Sequence, residues 1–174
     1  TPRRRRVGYL FALSCVANIT WLFLWHYNVF SLTLIAMVTL LVSLIAIYLI
    51  LEIGRASVPR AEKWAVHVPF SLYLGWITVA TIANMTQVLY WAGWGGWGIS
   101  PQVWAVIILV VATLVAGAVS LTRGDIVYML VIIWAFIGIA VKHAGTPTVA
   151  ITAWVTTGVN AVLLVVGALL KRRY

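Results

Sequence analysis

Six apolar runs, separated by short polar or glycine-containing connections, organise the chain at approximately 7–26, 29–51, 66–91, 102–121, 125–141 and 148–170. A helix that crosses a bilayer needs about 20 mostly apolar residues, with a lower limit of roughly 17, so each run is expected to be a span and the fifth is the shortest. Pro69, Pro101 and Pro147 stand near the starts of the third, fourth and sixth runs, where a missing N–H costs little. The expected fold is all-α: a polytopic membrane helical bundle of six transmembrane helices. The basic start followed by Val7 to Trp25 is long enough to remain as a span instead of being removed as a leader.

Composition supports the pattern. Of the 174 residues 64% are hydrophobic and 9% charged, whereas soluble domains carry about 25% charged residues. A water-soluble fold of this composition would expose far too much apolar surface. The net charge of +9 raises nucleic acid as a partner, but the basic residues sit in short clusters between apolar runs, which marks topology and not a nucleic-acid surface. Arg3 to Arg6, Arg55, Arg60, Lys63, Arg123 and Lys171 to Arg173 all fall on one side of a six-span arrangement, and only Lys142 falls on the other. Cytoplasmic loops collect Lys and Arg, so both termini are expected to be cytoplasmic. Membrane lipids are the first expected partner, and a bacterial inner membrane the expected location. The uncharged segment 92–102, AGWGGWGISPQ, is expected to be a non-cytoplasmic loop with tryptophans at the headgroups. Cys15, the single cysteine, excludes an intrachain disulfide and is expected to be a small packing residue.

The spans are not uniformly apolar. Along the third, Tyr73, Trp76, Ala80, Asn84, Gln87 and Trp91 follow one another at steps of three and four and share a helix face. Along the first, Phe11, Ser14, Asn18, Trp21 and Trp25 do the same. Amides facing lipid are costly, so both stripes should face protein or a cavity. Two readings stay open. Interhelical hydrogen bonds commonly hold membrane helices together; equally, two amides with flanking tryptophans suit a pocket for a large flat molecule. Thr78, Thr81 and Thr86 count for less, because a threonine can bond its own helix carbonyls.

WITVATIAN, 76–84, resembles the fifth-helix motif of the TspO/MBR family (tryptophan-rich sensory proteins and translocator protein), roughly PYLxWVxFAxxLN. Tyr73, Leu74, Trp76, Ala80 and Asn84 match in register, whereas the motif proline is displaced to Pro69. ANITW, 17–21, resembles the family's LNxxW of the third helix and puts Asn18 and Trp21 on motif positions; Trp25 and His26 stand where the family has an aromatic pair. The two motifs cover about residues 10–91. On this resemblance, 1–91 are the family's third to fifth helices and 92–174 an additional three-helix extension, as in longer bacterial members. The family's first two helices have no counterpart before Thr1. The resemblance implies non-covalent binding of a porphyrin, haem or chlorophyll-type tetrapyrrole, or of another hydrophobic ligand, in a sensory or regulatory role. The residues it would use are Asn18, Trp21, Trp25, Tyr73, Trp76, Ala80, Asn84 and Gln87.

Catalysis finds little support. The acids are Glu52, Glu62 and Asp125, all at expected cytoplasmic ends, and no HxxxH, CxxC or paired-carboxylate spacing occurs. No enzyme is expected. His67, where the third span begins, is the best placed histidine for axial ligation of a tetrapyrrole metal, although interfacial histidines usually serve as anchors. The contrasting expectation is a non-catalytic accessory or structural subunit of a larger membrane complex, or a homo-oligomer.

Overall fold

The computed structural model describes residues 2–171, with side chains from residue 5 onward, so the side chains of Arg3 and Arg4 and the whole of Arg172 and Arg173 lie outside the described residues. Six helices account for it: α1 (Pro2–His26), α2 (Phe30–Ile50), α3 (Arg60–Trp91), α4 (Pro101–Arg123), α5 (Ile126–Lys142) and α6 (Pro147–Lys171). No strand occurs among the described residues. All but α5 are long and apolar enough to cross a membrane, and α5 is a shorter apolar helix of 17 residues. Helices suit this environment because hydrocarbon offers no partner to a free backbone N–H or carbonyl. Their outward surfaces carry large apolar side chains such as Ile19, Ile35, Leu114 and Val162.

The chain forms two compact units, Thr1–Trp94 and Gly95–Tyr174. In the first, α2 packs along both α1 and α3, which approach each other at few points. Met37, Leu40, Leu44 and Ile47 of α2 are the centre of that unit's core. Its three helices end alike. Asn28, Glu52 and Gly93 adopt left-handed backbone, and the next N–H reaches back five residues: Val29 to Leu24 at 2.8 Å, Ile53 to Tyr48 at 3.2 Å and Trp94 to Leu89 at 3.1 Å. The 6→1 bond satisfies a carbonyl that the helix end would otherwise leave free.

α3 departs from expectation. It begins at Arg60, ahead of the position near 66 read from the sequence, and passes through Pro69. Proline has no N–H, and its ring crowds the carbonyl four residues earlier. Lys63–His67 form a π-turn in which the Val68 N–H bonds the Lys63 carbonyl, and this wider turn carries the helix past the proline.

In the second unit, α6 packs against both α4 and α5. Asp125 caps α5 by accepting from the N–H groups of Val127 and Tyr128 at 3.1 and 3.2 Å, as its position before an apolar run suggests. α4 and α6 cross closely. Ser120 Oγ donates to the Leu163 carbonyl at 2.7 Å, and a Cβ on Gly167 would fall on Ser120 Oγ and 2.5 Å from its carbonyl oxygen. Gly117 has Leu163 3.1 Å from where its Cβ would stand, whereas Gly138 and Gly158 meet nothing within 4 Å. Cys15 is also corrected: it is exposed on α1 and not packed inside.

Candidate functional site

The polar stripes of α1 and α3 meet. Trp21 Nε1 donates to Asn84 Oδ1 at 2.9 Å, joining helices 63 positions apart in sequence. An indole can only donate, so Trp21 fixes which end of the Asn84 amide faces it. Asn84 is 2% exposed, and its Nδ2 is buried without a hydrogen-bond partner. Nearer the start of the two helices, Phe11 meets Phe70 edge to face at 6.0 Å. The contacts run in the same order along both helices, so α1 and α3 are parallel, and both lie against α2.

Towards the far ends of α1 and α3, aromatic rings stand in a row. Trp21 lies 5.5 Å from Trp25, Trp25 meets Phe30 edge to face at 5.2 Å, and Phe30 lies 6.1 Å from Trp91. These four rings reach from α1 across the first residue of α2 to the end of α3. Such contacts add to area burial and stiffen the wall.

The other candidate residues take different positions. Asn18 shares a helix face with Trp21 and Trp25 yet is exposed, and it has no hydrogen bond among the described residues. Gln87 is half-buried and likewise without a hydrogen bond. Tyr73 and Ala80 are half-buried, Trp25 is exposed, and Trp76 is 46% exposed. Thr78, Thr81 and Thr86 bond the carbonyls of Leu74, Ile77 and Ile82, each four residues back in α3. Sequence reasoning placed Trp91 and Phe11 on the stripes without naming them as site residues. It missed Phe70 and Phe30; Phe30 opens α2 beside a turn, where no helix periodicity flags it. His67 lies buried in the π-turn and is not free. Among the described residues no group of three His, Cys, Asp or Glu side chains could hold a metal ion.

Six helices, five of them long and apolar enough to span, define an integral multi-pass membrane protein, although Asn18, Trp25 and Trp76 of the two stripes are exposed and not turned inward as expected. A family model described as TSPO-like protein matches residues 1–166, and the chain belongs to that family. The match confirms the resemblance carried by the two motifs and extends it beyond α3 into α6. Searches of curated proteins and of solved structures gave no match.

Proposed function

We propose that α1 and α3 form a groove between them that binds a flat, largely apolar ligand of the tetrapyrrole type, non-covalently, and that the protein acts as a membrane sensor or regulator without catalysing a reaction. The observation that carries this reading is the Asn84 amide: buried, held through its oxygen by Trp21, and left with an unpaired Nδ2 donor. A buried unpaired donor costs about 1–3 kcal/mol, a cost that an acceptor on a ligand would remove. Asn18 and Gln87 supply further unpaired amides, Trp21, Trp25 and Trp76 flat surface, and Tyr73 and Ala80 the narrower part of the wall. The reading places the protein in a bacterial inner membrane, where such ligands dissolve in the lipid. A ring seated at Asn84 is out of reach of His67, which lies 17 residues, about 25 Å, away along α3. The groove therefore holds a ring through its edge and faces, without axial ligation by His67.

The exposed amide of Asn18 favours one second reading: a neighbouring helix of another subunit, of the same or a different chain, would satisfy it. One experiment separates the two. The purified chain is titrated with a porphyrin, following tryptophan quenching and the pigment spectrum, alongside Ala80→Phe. Saturable binding lost in Ala80→Phe supports the groove. Equal affinity in the variant removes it, and a stable larger assembly that binds no pigment favours the accessory-subunit reading.

A further inference from the structure

The connection from α2 to α3 and the first turns of α3 carry three cations, Arg55, Arg60 and Lys63, all exposed. None of them has an ion-pair or hydrogen-bond partner among the described residues. Of the two nearby acids, Glu52 is already engaged, and Glu62 lies about 200° round the helix from Arg60. Arg60, Lys63 and Trp64 stand three and four positions apart, so two cations and an indole share one face. Trp64 is 62% exposed there, at the end of a membrane-spanning helix. An indole in that position sits at headgroup level, with its ring among the upper acyl segments and its N–H towards the polar layer.

We propose that this basic and aromatic face is a docking site for an anionic phospholipid, with Arg60 and Lys63 holding the phosphate, Arg55 closing over it from the connection and Trp64 lying against the lipid's glycerol region. A guanidinium presents two parallel N–H groups to phosphate oxygens, and an ammonium adds a point charge. Uncompensated cations at a membrane surface attract anionic lipid by a sequence-local term that adds with each charge. The lipid is thus held at one place on the protein's rim and not spread along the whole inner surface.

The test uses the full chain in nanodiscs of phosphatidylcholine with a minor fraction of phosphatidylglycerol, reading the lipid retained on release by native mass spectrometry. The wild type should retain phosphatidylglycerol in preference to phosphatidylcholine. Arg60→Gln/Lys63→Gln should lower that preference by on the order of tenfold. Arg5→Gln/Arg6→Gln, which removes the same charge elsewhere, should leave it nearly unchanged, and Trp64→Ala should weaken it to a lesser extent. Equal loss in the two double variants would mean that net charge alone attracts the lipid and would overturn the proposal. So would no loss in Arg60→Gln/Lys63→Gln, or displacement of the lipid by millimolar inorganic phosphate. Helical content and pigment titration of each variant identify any that fail to fold.

Discussion

At the level of single residues, Trp21 and Asn84 show how a polar group is tolerated at membrane depth. Each lies on a stripe that three- and four-residue spacing makes visible, and their pairing across α1 and α3 is what parallel stripes permit. Replacing Trp21 by Phe keeps the ring and deletes the donor, leaving Asn84 with both ends of its amide unpaired. The variant should lose about 1–3 kcal/mol, read as a lower melting temperature in mild detergent. An unchanged melting curve would mean that water or lipid already competes for that bond. Asn18 marks where sequence reading stops. It occupies the same stripe yet is exposed, and which part of a stripe a neighbouring helix covers is not encoded in local spacing.

The glycines illustrate the same limit at the level of elements. A glycine's role is decided by the helix opposite, so Gly117, Gly138 and Gly158 look alike in sequence, whereas Gly167 is the one in closest contact with Ser120. Gly167→Ala would force α4 and α6 apart at the Ser120–Leu163 hydrogen bond and should cost about 1–3 kcal/mol. Gly158→Ala meets open space and should be neutral or slightly stabilising, since alanine is the better helix former. Circular dichroism melts of the two variants side by side check both, and equal loss in the two would show that helix propensity and not the crossing is being measured. Pro69 misled in a related way. Proline near an apolar run normally opens a helix, and only the π-turn before it, formed over Lys63–His67, lets the helix begin earlier.

For the molecule as a whole, the apolar runs made the helix ends legible to within two residues, the starts of α1 and α3 excepted, because length and hydropathy are local quantities. Charge predicts an orientation: were all six helices to cross in turn, Arg55, Arg60, Lys63 and Arg123 would fall on one side and Lys142 on the other, and both termini should then be cytoplasmic. In a Cys15→Ala background, cysteines at Ser57 and Gly95, both exposed, should react with impermeant reagents from the inner and outer faces respectively. Labelling of both from one face would end the six-span topology.

The short α5 bears on where such a protein can reside. Its 17 residues rise about 25 Å, against about 35 Å for the 23 residues of α4 and about 37 Å for the 25 of α6. A typical hydrocarbon core is about 30 Å thick, so one helix of the second unit is too short for it while its two neighbours are long enough to tilt. Bilayer thickness therefore acts on the two kinds of helix in opposite directions. In vesicles of increasing acyl-chain length, the second unit should melt at progressively lower temperature once the hydrocarbon exceeds the reach of α5. Membranes with thin cores are accordingly the ones in which α4, α5 and α6 keep their packing at least cost, and thickness alone would sort this chain among bilayers of otherwise similar chemistry.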